Sequence, residues 1–330
     1  MTIQTGLDYL RSRGSIVDCD TMDEEVAEVL GPFQDCTSNQ AIAYNELRKS
    51  KHAELLMSAL TKAHSLISEY PDLTVIELAI EIAMVALSLR MVPHITGRIH
   101  IQTNPYYSYS TGKTIANAIR LVKLASILCP SHPQSRISIK IPSTWEGLMA
   151  CQYLEKAGIR TLATTLFTLP QAMLAAEVGC TYVAPYVNQL RVHFEEDFKD
   201  PSPALPLVPL IQEYYTRESI KTQVLPASLT STEEIFFLAG AHHITIPPKL
   251  LDELSKPLED GFSAASLFKS PGFDDFAGTR KPTSFVNDES GYRLAVARDA
   301  KGKSEEKLAQ AVNIFCDMQD KLVSLFQQSK

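Results

Sequence analysis

Short segments in which apolar and polar residues alternate recur along the chain, and longer segments with an apolar stripe every three or four residues separate them. The alternating segments predict eight strands, at residues 15–20, 34–39, 97–103, 137–142, 161–167, 180–187, 222–229 and 242–248. Alternation of strands with helices predicts an α/β fold of the closed (β/α)8 barrel type. In such a barrel the carboxyl ends of the strands converge on one site.

Additional helices are predicted before and within the N-terminal half of the barrel. Residues 1–12 indicate a short helix, and residues 46–92 carry two long apolar stripes that break at Pro71. Barrels of this length commonly form one domain, so we expect a single domain over residues 1–330.

The C-terminal part of the chain divides into two segments. Residues 257–302 contain Gly, Ser and Pro and are weakly patterned, which predicts an irregular excursion. Residues 304–327 predict a long amphipathic helix, because apolar residues recur there at helical spacing. That helix should pack either on the barrel or on a partner subunit. The second arrangement would make the protein a homodimer.

Composition excludes several classes of partner. Of the 330 residues 45% are apolar, which is enough for a large core, and the net charge of -7 without clustered Lys or Arg argues against nucleic acid. The longest apolar region, residues 75–92, contains Glu77, Glu81 and Arg90, so neither a membrane span nor a signal peptide is expected. Six cysteines without CxxC spacing indicate reduced thiols and a cytoplasmic protein.

The sequence predicts neither a metal site nor a cofactor. His242 and His243 are adjacent on one strand and face opposite ways, and no HxxxH or HxH pair occurs. The segment STGKT lacks the spacing of a phosphate-binding loop, so a nucleotide site is not expected either.

One predicted strand carries a lysine where a buried side chain is expected. In ISIKIPSTWEG (137–147), three isoleucines share one face and Lys140 points the opposite way, before Ser143 or Thr144 caps a helix. One interpretation is a lysine that extends from an edge strand to water. In the other, the apolar surroundings disfavour the ammonium form and leave a free amine that attacks carbonyl carbons.

The segment IKIPSTWEG resembles the Schiff-base segment of the transaldolase/fructose-6-phosphate aldolase family, and the similarity continues along nearly the whole chain. The resemblance implies that Lys140 is the catalytic nucleophile and forms a Schiff base with a ketone donor. It further implies that the partners are small ketones and aldehydes, and that a C–C bond is made or broken without a metal or cofactor.

Three further residues match site positions of the resembled family. Asp20 in DCDTMD matches the aspartate that carries the proton of the substrate hydroxyl, although taken alone it would more readily cap the helix that begins at TMDEE. Asn39 in DCTSNQ matches the asparagine that hydrogen-bonds the Schiff-base substrate, and Gln40 stands where the family has proline. Thr164 in ATTLF matches the threonine that holds the catalytic water.

Other positions indicate the aldolase subgroup. Gln102 in GRIHIQT replaces the glutamate of transaldolases, and an amide can orient water but cannot take a proton at neutral pH. The segment VAPYVN supplies Ala184 and Tyr186 where transaldolases have serine and phenylalanine, and Leu162 replaces their asparagine. The resemblance therefore implies a phenol, Tyr186, as acid or base, while the chain length and the extra helices resemble the transaldolases.

The phosphate-binding positions of the family are altered. Gln189 and Thr230 stand where the family has basic residues, Ser228 remains, and the STEE helix start (231–234) would repel an anion. Arg191 is a candidate substrate-binding residue that could turn inward and rescue the site. The expected substrate is therefore neutral or differently charged at this end.

Three functions remain open on these residues. The leading one is a Schiff-base enzyme with an aldolase-like site and a lost phosphate site. The first alternative is a pentose-phosphate transaldolase that moves a dihydroxyacetone unit from sedoheptulose 7-phosphate to glyceraldehyde 3-phosphate. The second is a non-catalytic binding or scaffold protein, although a scaffold would need none of the matched residues.

Overall fold

The computed structural model describes residues 4–269 and 284–329. Within these ranges, eight parallel strands form one sheet in the order β7-β6-β5-β4-β3-β2-β1-β8. The strands are β1 Ile16–Asp20, β2 Cys36–Thr37, β3 Ile99–Gln102, β4 Ile137–Pro142, β5 Arg160–Leu166, β6 Tyr182–Pro185, β7 Gln223–Val224 and β8 His243–Ile246. The backbone N–H of Thr245 donates to the carbonyl of Pro226 at 3.3 Å and brings the two sheet ends together. The prediction of a (β/α)8 barrel is confirmed.

Helices surround this nearly closed barrel. They are α1 Gly6–Ser12, α2 Glu24–Leu30, α3 Gln40–Leu47, α4 Ala53–Leu66, α5 Val75–Arg90, α6 Thr111–Leu128, α7 Trp145–Lys156, α8 Leu169–Glu177, α9 Leu207–Arg217, α10 Thr232–Phe237, α11 Pro248–Ser255, α12 Glu289–Arg298 and α13 Lys303–Gln328. None of the helices in the described ranges is long and apolar enough to cross a membrane.

The predicted strands and helices are found, with six of the eight strands shorter than predicted. Helix α4 ends before Pro71, and α5 begins after Thr74, whose hydroxyl accepts from the N–H of Glu77 in a capping box. Strand β7 has only two residues where eight were predicted, because Pro226 lacks the N–H that a longer ladder needs.

All six residues of β4 are buried, as expected for a barrel strand that faces packed side chains on both sides. The interpretation of Lys140 as an edge-strand lysine that reaches water is therefore wrong, since it is 2% exposed between two paired strands. Thr144 caps the following helix α7 by accepting from the N–H of Gly147 at 2.9 Å.

The predicted irregular excursion, residues 257–302, needs a correction. It contains helix α12, which Asp288 caps and which buries Tyr292 and Val296. Its pattern is short and includes Gly291, so the apolar spacing was too brief to predict a helix. Residues 270–283 of the excursion lie outside the described part of the chain.

The predicted C-terminal helix is found as α13, and it packs on the same chain's barrel. Its side chains Leu308, Val312 and Phe315 are buried in one apolar cluster with Phe167 and Tyr186 at the carboxyl ends of β5 and β6. Helix α13 therefore covers one side of the barrel mouth.

Candidate active site

Lys140 lies inside the barrel opposite two neighbouring residues. Its Cα pairs with Gln102 on β3 and with Leu162 on β5. Its Nζ lies 6.0 Å from the ring centroid of Tyr186, which follows β6 and is 2% exposed. Because β5 separates β4 from β6, the two side chains meet across the barrel interior. The structure thus brings together the predicted nucleophile and the predicted phenol.

Gln102 and Thr164 lie on the strands that flank Lys140. Gln102 pairs with Lys140 directly, while Thr164 pairs with Pro142, one inward-facing position further along β4. Both side chains are buried, and within the described chain Gln102 Oε1 and Thr164 Oγ1 have no hydrogen-bond partner. Buried polar atoms are seldom left unpaired. Their positions suit a bound water or a substrate hydroxyl.

Gln40 contacts the site, although the sequence analysis noted it only as a departure from proline. Its Oε1 accepts from Gln102 Nε2 at 2.8 Å, and its Nε2 donates to the backbone carbonyl of Thr103 at 3.0 Å. No motif in the sequence links positions 40 and 102, so only the tertiary structure reveals this pair.

Asp20 is the last residue of β1 and does not cap a helix. Helix α2 is capped by Asp23 instead, so the alternative interpretation of Asp20 as the cap is wrong. Asp20 Oδ1 accepts from Thr37 Oγ1 at 2.5 Å, and Thr37 Oγ1 lies 2.6 Å from Thr245 Oγ1. This chain of hydroxyls holds the carboxylate at the carboxyl end of three adjacent strands.

Asn39 and Ala184 occupy opposite sides of the barrel mouth. Asn39 is the N-cap of α3, and its Oδ1 accepts from the N–H of Ile42 at 3.0 Å. This bond orients the side chain at the end of β2. Ala184 on β6 is buried in the apolar cluster that contains Tyr186. Alanine has no polar side-chain atom, so Ala184 adds no hydrogen-bonding side chain to the barrel mouth.

The two positions where the family has basic residues hold neutral side chains that are already engaged. Gln189 donates through Nε2 to Asp200 at 3.2 Å and accepts from Gln310 at 3.0 Å. Lys307 of α13 lies nearby, but its Nζ pairs with the same Asp200 carboxylate at 2.9 Å.

At the second position, Thr230 is hydrogen-bonded to the carboxylate of Glu234. Glu234 accepts from the N–H of Thr230 at 2.7 Å and from its hydroxyl at 3.1 Å. The other oxygen of Glu234 accepts from the Asn188 amide at 2.9 Å. These donors are therefore engaged within the chain.

Ser228 pairs with a residue that the sequence analysis missed. Its Oγ lies 3.0 Å from Nε2 of His193, in the turn after β6. The backbone of Ser228 has a φ of 60°, in the left-handed region that residues other than glycine seldom adopt. Desolvation lowers the pKa of the His193 imidazole, and the charges of Asp20 and Glu234 oppose this only in part. A lone histidine without a motif gives no signal in the sequence.

Arg191 contacts a surface carboxylate and a ring. Its guanidinium donates to both oxygens of Glu195, and it lies 4.1 Å from the ring centroid of Phe198. These contacts hold the side chain beside its own turn. Its predicted role in substrate binding stays a prediction.

Below Lys140 the barrel contains a buried network of charged side chains. Asp18 Oδ2 is bonded to His243 at 2.8 Å, and Asp18 Oδ1 accepts from the N–H of Asp35 at 2.8 Å. Asp35 Oδ2 is bonded to His100 at 2.9 Å, and its Oδ1 accepts from the N–H of Arg98 at 2.8 Å. Asp18, Asp35 and His243 are close enough to hold a metal ion. Since each carboxylate oxygen already accepts a hydrogen bond, the group fits an internal network better than a metal site.

Comparisons with known proteins show the family of the chain. A family model described as Transaldolase/Fructose-6-phosphate aldolase matches residues 17–325. A protein of Chlamydia caviae named Transaldolase is 31% identical over 311 residues, which cover 91% of this chain and 90% of that protein. A Kluyveromyces lactis protein of the same name is 31% identical over 94% of this chain and 91% of its own length. A Saccharomyces cerevisiae protein, also named Transaldolase, is 30% identical over 94% of this chain and 90% of its own length.

Proposed function

Because the chain belongs to the transaldolase/fructose-6-phosphate aldolase family, we propose that it is an enzyme in which Lys140 forms a Schiff base with a ketone donor. The observation that carries the proposal is the buried Lys140 Nζ facing the Tyr186 ring across the barrel. Burying a lysine side chain costs free energy of folding, so a buried lysine inside a barrel is expected to be kept for a function.

The chemistry follows from an amine in this position. The Nζ lone pair attacks the ketone carbon, and loss of water gives an iminium that withdraws electrons from the adjacent bond. With a ketose donor, removal of the proton from the hydroxyl on the second carbon from the iminium carbon cleaves the C–C bond, releases an aldehyde and leaves an enamine on Lys140. With dihydroxyacetone, which has no such hydroxyl, loss of a C–H proton from the carbon beside the iminium gives the same enamine. The enamine carbon either attacks an acceptor aldehyde or takes up a proton before water releases the ketone.

Two groups at the carboxyl ends of the barrel strands can carry the protons. Tyr186 offers a phenol, and Asp20 offers a carboxylate whose position is set by Thr37. Gln102 cannot exchange a proton, so its role is to orient a water or hydroxyl together with Thr164. This division of roles resembles the aldolase subgroup.

The substrate end of the site supports a ligand without a phosphate. Gln189 is engaged by Asp200, Thr230 by Glu234 and Ser228 by His193. A charge-assisted hydrogen bond contributes about 1.5–3 kcal/mol. Loss of two such partners therefore lowers the affinity for a phosphate dianion by roughly 10²- to 10⁴-fold. We propose a donor that is neutral at this end, such as a dihydroxyacetone-like ketone.

Transfer to an acceptor aldehyde is the second candidate. It is favoured by the name Transaldolase on relatives that align over about nine-tenths of the chain. Transfer and simple cleavage share every step up to the enamine. They differ only in whether an aldehyde or a proton meets the enamine carbon.

The test is to trap the Schiff base. The protein is incubated with dihydroxyacetone or with fructose 6-phosphate, reduced with borohydride, and weighed intact before the modified peptide is located. We expect an adduct on Lys140 that forms more readily with the unphosphorylated ketone. Lys140→Arg should give no adduct and no turnover, since arginine is too basic to act as a nucleophile.

Two results would count against the proposal. Modification of another lysine, or activity in Lys140→Arg, would show that the centre is elsewhere. A preference of a thousandfold or more in kcat/KM for fructose 6-phosphate, with competitive inhibition by inorganic phosphate, would favour the pentose-phosphate transaldolase instead. Failure to trap any ketone or to turn over any aldehyde would favour a non-catalytic protein.

A further inference from the structure

We infer that Gln40 is a positioning residue that sets the orientation of the Gln102 amide and makes an amide, rather than a carboxylate, the productive side chain at position 102. The inference rests on the proposed Schiff-base reaction at Lys140. It concerns how Gln102 is held and not whether Lys140 reacts.

The orientation of both amides follows from one backbone carbonyl. The Thr103 carbonyl can only accept, so the atom of Gln40 that lies 3.0 Å from it must be the NH₂ group. Gln40 Oε1 then faces Gln102 at 2.8 Å, and because it can only accept, the facing atom of Gln102 must be Nε2. The Oε1 of Gln102 is therefore turned away from Gln40.

This orientation presents an acceptor to the reacting centre. Gln102 lies on β3, between β2 and β4. Gln40 follows β2 on one side, and Lys140 on β4 lies directly opposite Gln102 on the other side. Gln102 Oε1 is buried and has no partner among the described residues. A buried acceptor in this place can take a hydrogen bond from the water or substrate hydroxyl that reacts beside Lys140. A reversed amide would instead present a donor.

Gln40 also determines which side chain is tolerated at position 102. A glutamate there would place a carboxylate oxygen against Gln40 Oε1, so that two acceptors face each other with no proton between them. The bond from Gln40 to Thr103 prevents Gln40 from simply reversing its own amide. We therefore expect positions 40 and 102 to be energetically coupled.

The backbone at position 40 can accommodate proline without disturbing the start of α3. Gln40 is the first residue of α3 after the cap Asn39. Proline is well accepted at this first helical position, since its missing N–H has no partner within the helix. Gln40→Pro therefore removes the two side-chain hydrogen bonds while leaving the helix start intact.

The experiment measures kcat and KM for dihydroxyacetone-type donors with an acceptor aldehyde, in Gln40→Pro, Gln102→Glu and the double variant. We expect Gln40→Pro to lower kcat about tenfold, and Gln102→Glu to lower it by a hundredfold or more. The double variant should be at least tenfold faster than Gln102→Glu alone. It should also show a new acidic limb in its pH–rate profile, where the introduced carboxylate becomes protonated.

Controls separate positioning from folding. Gln212→Ala also removes a glutamine that bridges two backbone groups, the carbonyl of Gly240 and the N–H of His242, outside the strand ends that carry the site. We expect it to lower Tm but to leave kcat within twofold. Gln40→Ala repeats the loss of both bonds without proline, so agreement of the two variants excludes an effect of the new ring.

The outcomes distinguish this inference from the proposed function. If the wild type forms the borohydride adduct on Lys140 but the effects of positions 40 and 102 simply multiply, Gln40 does not position Gln102 and the inference is wrong. An unchanged kcat in Gln40→Pro has the same meaning. If the wild type forms no adduct at Lys140, the proposed function fails before the coupling is considered.

Discussion

The Nζ of Lys140 lies 6.0 Å from the ring centroid of Tyr186, and the two residues come from β4 and from the end of β6 with β5 between them. Their approach across the barrel places a phenol beside the amine that we propose to react. Phe167 packs edge-on against the Tyr186 ring at 5.9 Å between centroids, and α13 buries its other neighbours. The phenol is thus held by packing, so removing its hydroxyl should change the chemistry without moving the ring.

Tyr186→Phe should lower kcat by about a hundredfold or more, which is the usual contribution of a general acid or base. The measurement is steady-state cleavage of an unphosphorylated ketose, alongside the yield of borohydride adduct. We expect the adduct on Lys140 to persist, since phenylalanine preserves the ring packing. Full activity in this variant would assign the proton transfer to Asp20 or to water. A gain of transaldolase activity at little loss would make Tyr186 a specificity residue.

Arginines introduced at the two altered positions should restore a preference for phosphate. In Gln189→Arg/Thr230→Arg/Glu234→Gln, two cations are added and the carboxylate that occupies the Thr230 donors is neutralised. We expect kcat/KM for fructose 6-phosphate, relative to dihydroxyacetone, to rise at least tenfold and at most about 10⁴-fold. The control is Thr61→Arg, which adds one cation at an exposed position of α4, away from the barrel mouth. An unchanged ratio would show that the phosphate end lies elsewhere.

Anion binding at the mouth should strengthen as the pH falls, through His193. Desolvation lowers the pKa of its imidazole below the ordinary value of 6.5, so the ring is neutral at pH 7 and becomes a cation only in more acidic solution. Asp20 and Glu234 are the charged groups that face it and favour the cation. Inorganic sulfate stays a dianion over this range, so it should compete with substrate more strongly at pH 5.5 than at pH 7.5. His193→Gln should remove the difference, and a difference that persists would assign it to another group.

Acid should weaken the fold through Asp35. Burial opposes its ionisation, but the hydrogen bonds from His100 and the Arg98 N–H and the charge of His243 outweigh burial and lower its pKa to about 2. A carboxyl with a lowered pKa stabilises the fold above its unfolded pKa of about 4, and that contribution disappears as the pH falls from 4 towards 2. The shift corresponds to about 2 kcal/mol. Burial raises the pKa of Asp18, so the ionisation of Asp18 lowers the free energy of unfolding as the pH rises, opposite to the effect of Asp35.

The measurement is the free energy of unfolding in urea between pH 5 and pH 2.5, for the wild type and Asp35→Asn. We expect the free energy of unfolding of the wild type to fall by about 1.5 kcal/mol more than that of Asp35→Asn over this interval, because part of the contribution is lost only below pH 2.5. Asp252→Asn, which alters an exposed pair with Lys256, should behave like the wild type. Parallel curves for wild type and Asp35→Asn would show that the network does not lower the pKa of Asp35.

Local patterns in the sequence were enough to predict the barrel, because strand alternation and helical spacing depend on neighbouring residues and packing only reinforces them. The role of Lys140 as a nucleophile was predicted from the resemblance of IKIPSTWEG to a known family and stays a prediction. Lys140 in the middle of ISIKIP, the break near Pro71 and the long helix α13 were all predicted from such patterns. The short helix α12 was not, since ten residues with one glycine give too few turns for a clear apolar stripe.

The hydrogen-bond partners of the site residues became known from the tertiary structure alone. The bonds of Gln40 to Gln102, of Glu234 to Asn188 and of His193 to Ser228 join positions 62, 46 and 35 residues apart. Such contacts depend on which strand ends the closed sheet brings side by side, and on which donor finds an acceptor once water is excluded. A sequence pattern records the residue types, but not these partners, because hydrogen bonding across the barrel has no period along the chain.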